Sequence, residues 1–146
     1  VATYLINLAA INHSFKENMS NKKSVLIIGI DPKCLNFSIP EFVAANITAE
    51  KVFNGNMGSA NALNEKGYYA EVCWIDLGET AIEVIKTHLQ TRNFDCVLIG
   101  AGIRKVDANF NLFENIINTV HEYAPSARIC FNSNPMDTVE SVQRWV

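Results

Sequence analysis

The chain has 146 residues, a length typical of one compact domain with a single hydrophobic core. Hydrophobic residues make up 49% and charged residues 18% of the sequence, which excludes intrinsic disorder, and no run approaches the roughly 18 apolar residues of a membrane span. The 12 Lys and Arg residues against 15 Asp and Glu residues give a net charge of -3, too acidic for a general nucleic-acid binder, so small molecules or other proteins are the expected partners.

Residues 1–24 differ from the rest of the chain, because Val1–Phe15 contains no Asp, Glu, Lys or Arg. Met19 opens a polar stretch that leads directly into the first apolar run, as at a native start. Two interpretations of residues 1–18 stay open: a non-native upstream extension, or an ordinary N-terminal helix with Tyr4, Leu5, Leu8 and Ile11 on one face. A single domain is expected over residues 25–146.

From Val25 onward, strand patterns alternate with helix patterns. Val25–Ile30 is a continuous apolar run, which predicts a parallel strand buried on both faces. Pro32–Ile47 has no clear periodicity, so we expect a mobile lid over the binding site rather than a strand. Thr48 is a predicted N-cap for a helix that ends near Gly67, with Phe53, Met57, Ala60 and Leu63 at helical spacing.

The second half of the domain continues the alternation. Tyr69–Leu77 predicts a strand with one partly polar face, as at a sheet edge. Helices are predicted from Gly78 to about Asn93, over Asp107–Tyr123 and from Asn134 onward, and strands over Phe94–Ile99 and Ala127–Phe131.

Strands that alternate with helices at this spacing predict a parallel sheet with helices on both faces, a three-layer α/β fold. The glycine pattern of a full dinucleotide-binding fold does not follow the first strand, which favours a flavodoxin-like winding with strand order 2-1-3-4. Such a sheet normally has a fifth strand, so the stretch Ile129–Phe131 is expected near an open edge. A second subunit or the Val1–Leu8 segment should cover that edge, and we therefore expect a homodimer.

Ligands of open parallel sheets bind beyond the carboxyl ends of the strands, where the strand order reverses, here between strands 1 and 3. The residues expected to bind a ligand there are Asp31, Lys33, Gly100, Ala101, Gly102, Arg104, Asn132 and Ser133. Asp31 and Asp76 are the candidates for acid–base chemistry, but the sequence assigns no reaction. Each of these residues can equally be an ordinary turn or cap residue.

The sharpest local pattern is Gly100-x-Gly102-x-Arg104 before a helix. Two glycines let backbone amides approach an anion, and an arginine can bind it with two hydrogen bonds. This pattern predicts that the protein binds a small anionic or phosphorylated molecule. Two alternatives remain: the glycines serve only a tight turn with Arg104 solvated, or the protein is a non-catalytic module that binds other subunits.

Three common cofactors are disfavoured by the sequence. A flavodoxin carries a Ser/Thr-rich phosphate loop after strand 1, where this chain has Asp31-Pro32-Lys33, so FMN is not expected. Cobalamin binders have Asp-x-His-x-x-Gly at the same place, which this chain lacks. Zinc is not expected because Cys34, Cys73, Cys96 and Cys130 form no C-x-x-C pair. The last three lie in apolar runs, which predicts buried, reduced thiols and a cytoplasmic protein.

Four pieces of the sequence resemble a group of small uncharacterised microbial α/β proteins with a flavodoxin-like fold. They are residues 28–32 (IGIDP), 76–80 (DLGET), 97–104 (VLIGAGIR) and 129–132 (ICFN). The resemblance covers most of residues 25–146. It implies the domain limits and the fold, and it assigns no role to any residue.

Overall fold

The computed structural model describes residues 7–14 and 21–146. Residues 7–14 are helical and exposed, with Leu8 and Ile11 among the exposed large apolar side chains. The expectations for Val1–Ile6 and for the start at Met19 lie outside the described residues.

The described domain alternates strands with helices in chain order. The elements are β1 (Ser24–Ile30), α1 (Pro40–Ala44), α2 (Ala49–Glu65), β2 (Tyr69–Ile75), α3 (Ala81–Thr91), β3 (Cys96–Ile99), α4 (Ala101–Arg104), α5 (Phe110–Tyr123), β4 (Arg128–Phe131) and α6 (Thr138–Gln143). Single 3-10 turns lie at Pro32–Cys34, Asp107–Asn109 and Pro135–Asp137.

The strands form one parallel sheet in the order β2-β1-β3-β4. In the register of this sheet, Ile28 of β1 lies between Cys73 of β2 and Ile99 of β3. All residues of β1 are buried, because this strand has a neighbour on each side and helices on both faces. The predicted three-layer, flavodoxin-like α/β fold is confirmed.

Each face of the sheet has its own apolar core. Leu26, Ile28 and Val97 pack with residues of α3 and α5 on one face. Val25, Ile27, Leu98 and Cys130 pack with residues of α2 and α6 on the other face. Strand residues therefore alternate between the two helix layers, as the pleat of a strand requires.

The cysteines of the domain are free thiols, and Cys73, Cys96 and Cys130 are buried as predicted. The Sγ atoms of Cys96 and Cys130 face each other at 3.3 Å across β3 and β4. This separation is well beyond the roughly 2.05 Å of a disulfide bond, so the two side chains are paired thiols in the second core. Burial raises the pKa of the Cys73 thiol to about 12, which leaves it protonated at neutral pH.

The ends of α2 follow the signals in the sequence. The Thr48 hydroxyl accepts a hydrogen bond from the Lys51 amide, which is the N-cap contact. Gly67, just after the helix, has φ of 92°, a left-handed conformation that favours glycine.

Two connections differ from the sequence prediction. Pro32–Ile47 forms no strand, as predicted, but it contains a 3-10 turn and the helix α1, in which Phe42 is buried with its ring 5.9 Å from that of Phe37, and this packed helix counts against a mobile lid. These apolar contacts stabilise a regular structure that the periodicity of the sequence did not predict. Strand β2 ends at Ile75 rather than Leu77, because Asp76 turns the chain toward α3. None of the helices in the described residues is long and apolar enough to cross a membrane.

Candidate functional site

The C-terminal ends of the parallel strands lie along one side of the molecule, which we call the carboxyl edge. Asp31, Asp76, Gly100 and Asn132 directly follow β1, β2, β3 and β4 at this edge. The long helices run back against the strands, so the N-termini of α2, α3 and α5 lie at the same edge. This arrangement brings most of the predicted site residues to one side of the sheet.

A cleft of about 400 Å³ opens at the carboxyl edge between β1, β2 and the start of α2. We refer to it as the edge cleft. Its lining residues are Asp31, Pro32, Lys33, Ala49, Glu50, Phe53 and Trp74. Two of the predicted ligand-binding residues, Asp31 and Lys33, are therefore part of it.

Two stacked aromatic rings form the apolar part of the edge cleft. The rings of Phe53 and Trp74 are nearly parallel, at 7°, with their centroids 5.7 Å apart. Phe53 is 49% exposed although it belongs to the apolar stripe of α2. Trp74 pairs in register with Gly29 of β1. The absent side chain at Gly29 leaves room for Asn56, whose Oδ1 would lie 3.1 Å from an added Cβ.

The sequence did not single out Phe53 and Trp74 as site residues. The available signal was the position of each ring, one in the second turn of a helix and one near the end of an edge strand. Both positions lie near the carboxyl edge in this topology, but the contact between the rings depends on how α2 crosses the sheet.

The polar groups of the edge cleft come from the turn after β1 and from α2. The Asp31 amide donates to the Ile75 carbonyl at 2.8 Å, which joins the ends of β1 and β2. One carboxylate oxygen of Asp31 accepts from the Lys33 amide at 2.9 Å. Among the described residues, neither the Lys33 ammonium nor the Glu50 carboxylate has a hydrogen-bond or ion-pair partner, so both remain available to a ligand.

Asp76 acts as a cap for α3. Its carboxylate accepts hydrogen bonds from the Gly78, Thr80 and Ala81 amides and from the Thr80 hydroxyl. The Thr80 hydroxyl and these amides hold the pKa of Asp76 below its usual value. These contacts give the carboxylate a structural role, and it does not line the edge cleft.

Asn132 organises the ends of β3 and β4. It is 5% exposed, its Oδ1 accepts from the Ala101 amide at 2.8 Å, and its Nδ2 donates to Thr138 Oγ1 at 2.8 Å. Its carbonyl accepts from Arg104 Nη2 at 2.7 Å, and the same guanidinium lies over the Phe131 ring. The groups predicted to bind an anion, the Ala101 amide and the Arg104 guanidinium, thus already have partners within the protein.

The other predicted residues near β3 and β4 are also held by local contacts. The Gly100 amide donates to the Ile28 carbonyl at 3.0 Å, and the Gly102 carbonyl accepts from Asn109 Nδ2. The Ser133 amide and hydroxyl both donate to Asp137, and the Ser133 carbonyl accepts from Lys105 Nζ at 2.7 Å.

The structure divides the predicted site residues into two groups. Asp31 and Lys33 line the edge cleft with the stacked rings. The remaining ligand-binding candidates lie at the ends of β3 and β4, where each is held by hydrogen bonds within the protein: Gly100, Ala101, Gly102, Arg104, Asn132 and Ser133. In the part of the chain that the structure describes, no group of three or more His, Cys, Asp or Glu side chains is arranged to hold a metal ion.

No protein-family model matches this sequence, and no curated protein matches it. The resemblance to small microbial flavodoxin-like proteins therefore stays a prediction.

Proposed function

We propose that this protein binds a small molecule in the edge cleft. The observation that carries the proposal is the stacked pair of Phe53 and Trp74 in a cleft of about 400 Å³ that also contains unpartnered charged groups. Ligand sites are typically concave spaces of roughly 300–1,000 Å³ with an apolar lining and a few polar groups that fix orientation. The edge cleft lies beyond the carboxyl ends of parallel strands, as ligand sites of open parallel sheets do, but on the β1–β2 side of the switch point between β1 and β3.

The residues that line the edge cleft would make different kinds of contact with a ligand. The exposed face of Phe53 provides apolar area that a ligand ring would remove from water. Asp31, Lys33 and Glu50 provide the acceptors and the donor that orient polar substituents. No residue of the edge cleft combines with a neighbour into a nucleophile–base pair, so the proposal is one of binding.

A thermal-shift screen with matched variants tests this proposal. Nucleosides, nucleotides, phosphosugars and cofactors are screened against the wild-type chain, Phe53→Ala and the control Trp145→Ala, which removes a ring of similar exposure (52% against 49%) outside the edge cleft. A binder at a hundredfold excess over its Kd stabilises the native state by about 2.7 kcal/mol. We expect a stabilising compound whose effect is lost in Phe53→Ala and kept in Trp145→Ala.

The same screen separates the edge cleft from the anion site predicted after β3. A ligand that binds at the Gly100–Arg104 turn should lose affinity in Arg104→Ala and keep it in Phe53→Ala. The result that overturns the proposal is a screen in which no compound stabilises the protein, or one in which every stabilising compound is indifferent to Phe53.

A second candidate function is binding to another protein subunit. Several large apolar side chains outside the edge cleft are exposed on elements that begin or end at the carboxyl edge, namely Val43, Leu77, Phe110 and Met136. Exposed apolar groups gathered on one side of a protein are typical of interaction surfaces. Light scattering distinguishes this function: association that is lost in a Phe110→Ser, Met136→Ser variant supports it, and unchanged association contradicts it.

We also infer a homodimer and a cytoplasmic location. The location rests on the paired thiols of Cys96 and Cys130, since adjacent free thiols persist in a reducing compartment. The dimer rests on the Ile129 amide and carbonyl, which lie unpaired at the outer edge of β4 in the described structure.

A further inference from the structure

The shape of the edge cleft favours a flat ligand. Phe53 and Trp74 stack with only 7° between their planes, and Phe53 is half exposed, so one ring face remains open to a third ring. Aromatic side chains in this arrangement bind planar ring systems because every heteroaromatic ring has a π-face to stack. An aliphatic ligand of the same area would gain the apolar burial but not the stacking.

The charges around the edge cleft disfavour a phosphate. Asp31 and Glu50 contribute two carboxylates and Lys33 one ammonium. The N-terminus of α2 adds only about half a positive charge. A negative potential therefore remains, whereas a phosphate group carries roughly -1.5 to -2 at pH 7. The Asp31 and Glu50 carboxylates accept hydrogen bonds, so they favour N–H and O–H donors on the ligand.

From these two observations we infer that the ligand is an uncharged heteroaromatic molecule of the nucleoside class, with its ring on Phe53 and its amino or hydroxyl groups at Asp31 and Glu50. The inference rests on the proposed function. The anionic ligand predicted from the sequence depends on the Gly100–Arg104 turn, which does not line the edge cleft.

Matched pairs of probes test the inference. Adenosine, guanosine, cytidine and uridine are each compared with their 5′-monophosphates by calorimetry or ligand-observed NMR at low ionic strength. We expect at least one nucleoside to bind more tightly than its monophosphate, and Phe53→Ala to weaken it about tenfold or more, in the range of base–aromatic stacking. The control Trp145→Ala should leave its affinity unchanged.

Charge variants then test the reason for the preference. In the double variant Asp31→Asn, Glu50→Gln the affinity of the monophosphate should rise toward that of the nucleoside. Glu79→Gln is the control, because Glu79 is an exposed carboxylate at the same edge but outside the edge cleft. A preference that is the same in all three proteins would overturn the role of these carboxylates.

The outcomes separate this inference from the proposed function. If a monophosphate binds more tightly than its nucleoside, the inference fails and the proposed function stands. If no nucleoside binds but another compound stabilises the protein in a Phe53-dependent way, the inference also fails alone. If no compound binds at all, both fail.

Discussion

A single buried amide connects the loops after β3 and β4. Asn132 can do this because its side chain carries an acceptor and a donor on opposite sides, and both are used, by Ala101 and Thr138. Its 5% exposure makes each of these contacts necessary, since a buried polar group without a partner costs about 1–3 kcal/mol. From sequence alone, a polar residue after a strand can be interpreted as a ligand contact or as a hydrogen-bonded link between two loops. Its hydrogen-bond partners in the structure distinguish the two interpretations.

Asp76 should make the stability of the protein depend on acid pH. Hydrogen bonds from the Thr80 hydroxyl and the neighbouring amides lower the pKa of Asp76 in the folded state. The carboxylate therefore contributes its full stabilisation above the ordinary aspartate pKa of about 3.9, and the contribution is lost as the pH falls through the lower folded-state pKa. Asp76→Asn is expected to be less stable than wild type at pH 7, with the difference shrinking toward zero in acid.

Urea unfolding from pH 7 down to pH 2 measures this difference. Glu79→Gln serves as the control, because Glu79 lies in the same turn and caps no helix in the described structure. Equal destabilisation of Asp76→Asn at every pH would contradict the argument, since it would mean that lost packing rather than lost charge explains the effect.

The long helix α2 contains two glycines that should respond oppositely to alanine. An added Cβ at Gly58 meets nothing within 4 Å, so Gly58→Ala should gain the helix propensity of alanine and raise the free energy of unfolding by about 1 kcal/mol. An added Cβ at Gly55 would lie 2.8 Å from Pro135 Cβ, in the 3-10 turn before α6. Gly55→Ala should therefore lower the free energy of unfolding by about 1–3 kcal/mol.

Denaturant midpoints of the two variants, compared at equal slope, provide the measurement. Each variant is the control for the other, because both make the same chemical change in the same helix. Destabilisation in both would show that α2 needs glycine flexibility itself, and stabilisation in both would show that Pro135 shifts without cost.

Sequence periodicity predicted the helices and strands that are long enough to show a regular pattern of apolar residues. The apolar run Val25–Ile30 lies within β1, and the helix predicted over Asp107–Tyr123 is observed as a 3-10 turn followed by α5. The helix α1 has one turn and a single buried side chain, Phe42, so it carries too little pattern to be recognised. The helix α4 has only four residues, and Gly100 before it and Gly102 inside it make the sequence typical of a loop.

For the whole molecule, the order of strands could be predicted because right-handed crossovers and the alternation of elements allow few topologies. The carboxyl edge was predicted as the place for a ligand from the rule for open parallel sheets, which points to the gap between β1 and β3, whereas the edge cleft lies beside β1 and β2. The contents of the edge cleft did not follow from that rule, because Phe53 and Trp74 meet only through the packing of α2 across the edge strand β2. The distance between these two rings depends on tertiary packing, which the pattern of one sequence does not reveal.

The two outer strands of the sheet, β2 and β4, differ in how their outward backbone groups are hydrogen-bonded. On β2, Asn64 binds both outward groups of Ala70, accepting from its amide at 2.8 Å and donating to its carbonyl at 3.2 Å, so that a side chain occupies the place of another strand. On β4, Arg144 Nη2 donates to the outward carbonyl of Phe131 at 3.2 Å, whereas the Arg128 amide points inward and donates to the carbonyl of Asp95, the residue before β3. The alternation of a parallel strand then directs the Ile129 amide and carbonyl outward.

We expect the chain to form a homodimer through this β4 edge. Among the described residues the outward groups of Ile129 have no partner, and proteins rarely leave such an edge open. Ile129→Pro removes the outward N–H without removing a bond to β3, a change that an edge strand tolerates. Light scattering should therefore show a dimer for wild type and for the control Ile129→Val, and a folded monomer for Ile129→Pro.

A wild-type protein that is monomeric at every concentration contradicts this expectation and favours the other predicted cover of the edge, the segment Val1–Leu8, most of which lies outside the described residues. Removal of residues 1–18 distinguishes the two covers of the edge. A dimer held by β4 survives that truncation. An edge covered by the segment Val1–Leu8 becomes free to associate only after the truncation.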